Sequence, residues 1–114
     1  MIKGIGVDII EIGRIAQAMR GGEKFLPRNF TAAEIKYFGE KNNAPQTAAG
    51  NFAAKEAFAK ALGTGFRGFG LADVEILRDN LGAPYILFRG ERHSCHLSIS
   101  HSENYAVATV VIEE

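Results

Sequence analysis

Thr47-Ala48-Ala49-Gly50-Asn51-Phe52-Ala53-Ala54-Lys55-Glu56-Ala57-Phe58-Ala59-Lys60-Ala61-Leu62 is the stretch from which the rest of the chain can be read. It is rich in alanine, the best helix former, and Gly63 stands where a helix C-terminus needs a left-handed residue. Ala49, Phe52, Ala53, Glu56 and Lys60 share one stripe of this helix. Ala54, Ala57, Phe58 and Ala61 share the other, which the pattern assigns to the core. So many small side chains let another surface approach closely.

Upstream, Lys41 to Gln46 reads as a loop, because Pro45 is a poor residue with which to continue a helix. Thr31-Ala32-Ala33-Glu34 has the form of a capping box and predicts a short helix to about Phe38. Ile12, Ile15, Ala16 and Met19 recur at helical spacing, so residues 11–19 read as a helix closed by Gly21-Gly22. Residues 2–10 alternate as a strand, with Ile5, Val7 and Ile9 on one face and Gly4, Gly6 and Asp8 on the other. Two glycines beside one carboxylate leave that second face bare for a ligand or another backbone. Downstream of Gly63 the chain is glycine-rich to Gly70 and then reads as β. Residues 74–78 and 85–89 flank an Asp79-Asn80-Leu81-Gly82 hairpin loop. Residues 97–100 and 105–112 flank the polar turn His101-Ser102-Glu103-Asn104. The prediction is α+β: one domain over residues 1–114, a small antiparallel sheet packed against helices.

A chain of 114 residues, 46% hydrophobic and 23% charged, has room for a single modest core. Thirteen basic residues balance thirteen acidic ones, so no overall field favours nucleic acid or an anionic membrane. The balance is uneven locally. Five basic residues (Arg14, Arg20, Lys24, Arg28, Lys36) face two acidic ones (Glu23, Glu34) between positions 14 and 36. The lone Cys95 excludes an internal disulfide and suits a reducing compartment. No segment is apolar enough to span a bilayer, and Asp8 and Glu11 interrupt what would be the core of a signal peptide. A cytoplasmic protein is expected.

Three places carry chemistry. Asp8 lies among Gly6, Val7, Ile9 and Ile10, where a partly buried carboxylate needs a partner, either an ion pair or something more specific. Glu56 makes at least an i,i+4 pair with Lys60, worth about 0.3–0.5 kcal/mol. Together with Asp8 and water it could instead hold Mg²⁺, a hard cation that often completes its shell with phosphate oxygens, with Lys60 beside it as a phosphate contact. His101-Ser102 sits on a turn able to direct an imidazole and a hydroxyl at an anion. No nucleophile elbow supports a Ser/His/Asp triad, and the His93, Cys95, His96, His101 set lacks the paired spacing of structural zinc sites.

Taken together, Gly4-Ile5-Gly6-Val7-Asp8-Ile9, Phe52-Ala53-Ala54-Lys55-Glu56-Ala57-Phe58-Ala59-Lys60-Ala61-Leu62-Gly63 and Leu97-Ser98-Ile99-Ser100-His101-Ser102 resemble the three motifs of the 4′-phosphopantetheinyl transferases. The length and Phe30-Thr31-Ala32-Ala33-Glu34 match the short bacterial group, the holo-[acyl-carrier-protein] synthases. The resemblance covers almost the whole chain.

It implies a Mg²⁺-dependent enzyme that moves the 4′-phosphopantetheine arm of coenzyme A to a serine of apo acyl carrier protein. Adenosine 3′,5′-bisphosphate is released, in support of fatty-acid biosynthesis. On this pattern Asp8 and Glu56 hold the metal with the donor diphosphate, and Lys60 neutralises phosphate charge. His101 and Ser102 lie against the donor, with Lys41 as a further cation. Arg14, Met19, Arg20, Lys24 and Phe25 mark where the acidic carrier protein docks. The family also implies a homotrimer with active sites at subunit boundaries. Two positions depart from the pattern: Asn51 stands where Arg is common, and Ala83 where Lys or Arg is. Both remove cations from regions expected to meet donor phosphates, so weaker donor affinity is expected. The competing readings are a non-catalytic carrier-protein or nucleotide-binding module on the same fold, and a structural protein in which Asp8 and Glu56 make ordinary ion pairs.

Overall fold

The computed structural model describes residues 1–114, and its axis is the alanine-rich helix. In chain order the elements are β1 (Ile2–Glu11), α1 (Ile12–Arg20), α2 (Phe25–Asn29), α3 (Ala32–Glu40), α4 (Pro45–Leu62), β2 (Val74–Arg78), β3 (Pro84–Phe88), β4 (Glu91–Arg92), β5 (His96–His101) and β6 (Tyr105–Glu113), with a 3₁₀ turn at Leu71–Asp73. All strand pairs are antiparallel, as expected for this α+β reading. They form two three-stranded sheets, ordered β1-β6-β5 and β2-β3-β4, which share one core with α4.

That placement changes the reading of α4. Two stripes imply one wet side, yet Ala48, Ala49, Ala53, Ala54, Ala57, Ala59 and Phe58 are all buried. Methyl groups are small enough for both sheets to pack on Ala53, Ala54, Ala57 and Ala61, while α1 with Phe30 and Phe38 closes over Ala48 and Ala49. The helix also begins at Pro45, two residues before the expected start. Proline at the first helical position loses no hydrogen bond and has its φ already set, so Pro45 starts the helix it was expected to precede. Gly63 ends it in the left-handed region at φ 81°.

β1 lies directly on α4. A Cβ at Gly4 would fall 2.0 Å from the Ala61 carbonyl oxygen, and one at Gly6 2.0 Å from that of Ala57. Both neighbours are helix backbone, so only glycine permits this approach. Asp8 follows on the same face, while Ile5, Val7 and Ile9 point away and stay 66%, 55% and 64% exposed.

A fully buried polar cluster ties α4 to the rest. Lys55 Nζ donates to Glu34 Oε1 (2.6 Å), the Asn29 carbonyl (2.8 Å) and the Leu71 carbonyl (2.9 Å), which uses all three of its protons. Glu34 also closes the capping box with Thr31 and accepts from Asn51 Nδ2 at 2.9 Å. The expected helix start at Thr31 is therefore also a core anchor. The five-residue α2 has too few turns to show a period and has no counterpart in the sequence reading.

Candidate functional site

Asp8 reaches the site because Gly4 and Gly6 set β1 against α4, and Lys60 meets it from the last turn of that helix. Lys60 Nζ donates to Asp8 Oδ1 at 3.0 Å and to the Val7 carbonyl at 3.1 Å. The Lys60 side chain is 55% exposed and that of Asp8 18%, so the pair opens to solvent. Glu56, one turn before Lys60, completes the group. Its carboxyl is pushed above the ordinary value first by burial and then by the negative charge of Asp8, against the opposing pull of Lys60. Asp8, held at 3.0 Å by Lys60, is near enough for its charge to act on Glu56, which lies one turn before that lysine on α4. The cost of these like charges is recovered when a cation sits between them.

No group of three His, Cys, Asp or Glu side chains is placed to hold a metal. Two carboxylates on separate elements, open to solvent beside a lysine, nevertheless fit Mg²⁺, which retains waters and takes phosphate oxygens as ligands. The donor set matches that chemistry and does not match a closed structural zinc site.

Lys41 and His101, distant in sequence, line one cavity of about 240 Å³ together with Tyr37, Gln46, Thr47 and Arg78. Ser102 lies beside it on the turn, where its hydroxyl accepts from the Tyr105 amide at 3.3 Å. Arg78 escaped the sequence reading, since a lone arginine ahead of a hairpin loop has no signature. Asn51, read as a missing cation in a phosphate region, is wholly buried. Its amide donates to Glu34 and to the Ile76 carbonyl, and its carbonyl oxygen accepts from Arg78 Nη2 at 3.0 Å. Ala83 lies exposed on the hairpin loop, where its amide donates to Asp79.

The basic segment divides between two hollows of about 610 and 620 Å³ at the α1–α2 junction, neither lined by Asp8. Lys24 and Phe25 line the first, and Met19 and Arg20 line the second. Arg14 is exposed on α1 and pairs with Glu11 at 3.8 Å. Burial pushes the Cys95 thiol up, away from the thiolate a nucleophile needs. No helix is long and apolar enough to cross a membrane.

Residues 4–110 match the model of the 4′-phosphopantetheinyl transferase superfamily. The chain is 50% identical over 121 residues to a holo-[acyl-carrier-protein] synthase of Clostridium botulinum (strain Alaska E43 / Type E3), covering 99% of this chain and 98% of that protein. It is 51% identical to the corresponding protein of Clostridium beijerinckii, with the same coverage. Among solved structures, it is similar to a holo-(acyl-carrier-protein) synthase from Bacillus anthracis in complex with CoA (3′,5′-ADP), with a TM-score of 0.86, 42% identity and 97% and 96% of the two chains covered. The enzyme from Neisseria meningitidis superposes with a TM-score of 0.88 at 36% identity, with both chains covered completely.

Proposed function

The chain belongs to the 4′-phosphopantetheinyl transferase superfamily, and from that premise we propose that it acts as a holo-[acyl-carrier-protein] synthase, using coenzyme A as donor and apo acyl carrier protein as acceptor. The carrier serine oxygen forms a bond to the phosphorus that bears the pantetheine arm. The bond from that phosphorus to the bridging oxygen breaks, and adenosine 3′,5′-bisphosphate leaves with the electron pair. The serine proton is released to solvent, so the exchange balances as one phosphodiester, one bisphosphate and one proton. This chemistry asks for alignment and charge neutralisation rather than an enzyme nucleophile, in keeping with a chain whose only cysteine holds its proton.

The observation that carries the reading is the convergence of Asp8 and Glu56 next to Lys60. We assign Asp8 and Glu56 as the ligands of Mg²⁺, which when bound neutralises charge on the donor diphosphate. Lys60 adds a positive charge at the same place and holds Asp8 in position. His101, Ser102 and Lys41 bind the donor further along. Arg14, Met19, Arg20, Lys24 and Phe25 take the carrier protein, because cations rim the two hollows and Met19 and Phe25 supply apolar contacts within them.

The exposed Ile5, Val7 and Ile9 supply an apolar face that a homotrimer with active sites at its boundaries would cover, working in the cytoplasm. Incubation with apo carrier protein, coenzyme A and Mg²⁺ adds one phosphopantetheine arm to the carrier, read by mass spectrometry. A carrier of unchanged mass at full metal and donor concentration rejects the assignment.

A further inference from the structure

We infer that Lys55 is a positioning residue for the acceptor: from inside the fold it holds α2, and with it the hollow that takes the carrier protein, in register with Glu56, the next residue on α4. The inference rests on the proposed function, since that reading seats the carrier on α2 and the reacting diphosphate beside Glu56.

The hollow of about 610 Å³ is lined from α2 by Phe25, Arg28 and Asn29. This helix is five residues long and contributes no fully buried side chain. Phe25 and Leu26 reach the core only in part, so apolar packing fixes the helix weakly. Its backbone bonds, from Arg28 to the Lys24 carbonyl at 3.1 Å and from Phe30 to the Leu26 carbonyl at 2.8 Å, close the turn on itself. So does Asn29 Nδ2, which donates to the Phe25 carbonyl at 2.9 Å. None of these bonds decides where the turn sits on the molecule.

Lys55 supplies what is missing. The Asn29 carbonyl, at the helix end where no intrahelical partner exists, accepts from Lys55 Nζ at 2.8 Å. This is the one hydrogen bond from α2 to another helix or strand. The same ammonium lies 4.8 Å from the centre of the buried Phe30 ring, which meets Phe25 edge-on at 6.1 Å. The other two ammonium protons go to Glu34 and to the Leu71 carbonyl, so the group that holds α2 is itself held. A lysine ammonium offers three donors, and each one is used here.

Successive residues of a helix point about 100° apart, so neighbours can serve different sides of it. Lys55 is wholly buried beneath α2, while Glu56 lies within reach of the charge of Asp8. One rigid helix of 18 residues is thereby the common frame for the docking hollow and for the acidic site. A shift of α2 moves the carrier serine relative to the phosphorus, and a misplacement of about 1 Å can cost about 10²-fold in rate.

The test compares the wild type, Lys55→Met and the double variant Glu34→Gln/Lys55→Met. For each, unfolding in urea, KM for apo carrier protein and KM for coenzyme A are measured. The single variant strands a buried charge; the double variant removes that charge with its partner and regains stability. Both lack the bond to Asn29. In both, KM for the carrier rises by about tenfold or more, while KM for coenzyme A stays within about twofold of the wild type. A carrier KM that recovers together with stability, or two KM values that rise together, overturns the inference and leaves Lys55 to stability alone.

Hydrogen exchange gives a readout that needs no activity. In the double variant the Arg28 and Phe30 amides exchange faster than in the wild type, while amides in the middle of α4 keep their protection. Unchanged exchange at Arg28 and Phe30 overturns the inference even where the carrier KM moves. If the wild type transfers nothing, the proposed activity falls, and exchange still decides whether Lys55 holds α2. Asn29→Ala serves where the double variant fails to fold, since it leaves the buried pair intact and loosens the same turn. It raises the carrier KM alone; a carrier KM at the wild-type value overturns the inference.

Discussion

Helix α4 carries two lysine–carboxylate pairs built from the same chemistry and put to opposite uses. Lys55 meets Glu34 at 2.6 Å, with both side chains wholly enclosed, whereas Lys60 meets Asp8 at 3.0 Å at the edge of solvent. In the first pair every lysine proton and both carboxylate oxygens have partners inside the fold. Burial pushes the Glu34 carboxyl up and the Lys55 ammonium down, and each partly restores the other. A pair so enclosed cannot exchange partners, and its work is to bind α4 to α3, to the end of α2 and to the 3₁₀ turn. The second pair is open to solvent and has a second carboxylate, Glu56, within reach of the charge of Asp8. The like charges there oppose each other, which a bound cation would relieve. Saturated hydrogen bonding makes structure here, and the open pair keeps its charge available, as the proposed site requires.

Breaking the enclosed pair has the largest expected effect on stability. Lys55→Met leaves Glu34 buried without its cation and lowers the free energy of unfolding by about 3–5 kcal/mol, measured in urea. A loss below about 1 kcal/mol would remove the distinction between the pairs, because that is what an exposed pair is worth.

Gly6→Ala joins the two regions. Its Cβ would fall 2.0 Å from the Ala57 carbonyl oxygen, so β1 must move off α4 and carry Asp8 with it. A stability loss of about 1–3 kcal/mol accompanies a fall in transfer rate, measured by denaturation and by turnover of the same preparation. An active, undisturbed Gly6→Ala protein would mean that Asp8 is placed by something other than this contact.

The smallest effect sharpens the contrast most, because its sign is reversed. The folded-state carboxyl of Glu56 is raised by burial and by Asp8, so the folded protein holds that proton to a higher pH than the unfolded chain. The ionised form therefore costs stability, and the cost grows as pH rises from the ordinary glutamate value through the raised one. Glu56→Gln removes it. At neutral pH the variant unfolds at a slightly higher temperature than the wild type while losing transfer, and the gain disappears at acid pH. A variant less stable at neutral pH would make Glu56 a structural residue.

Much of the fold was legible because local rules agree with it. The capping box at Thr31, the left-handed Gly63 and the alternation in β1 and β6 are each fixed within a few residues of sequence. The start of α4 was misread because proline breaks a helix at most positions and begins one at the first. The enclosure of α4 was missed because alanines carry too little periodic signal to reveal that both sides are covered.

For the proposed site, Asp8, Glu56, Lys60 and His101 were read from residue type and position, and Lys41 only through the resemblance. Lys55 and Arg78 could not be weighed in this way. A lysine beside a glutamate, or an arginine ahead of a turn, reads as a solvated side chain. Only the packing of α2, α3 and β2 around them decides otherwise. Asn51 was read only for the charge it lacks; its burial and its bonds to Glu34, Ile76 and Arg78 depend on contacts that no local pattern shows.

The central claim is that Asp8 and Glu56 act together on one divalent ion beside the donor diphosphate. Its most direct test is the Mg²⁺ dependence of phosphopantetheine transfer for the wild type and for Asp8→Asn, on protein shown to be folded. Transfer by the wild type saturates with Mg²⁺ and is abolished by chelation, and Asp8→Asn falls by about 10²–10³-fold at the Mg²⁺ concentration that saturates the wild type. A variant that follows the wild-type Mg²⁺ curve at a similar rate would contradict the claim and leave Asp8 an ordinary partner of Lys60.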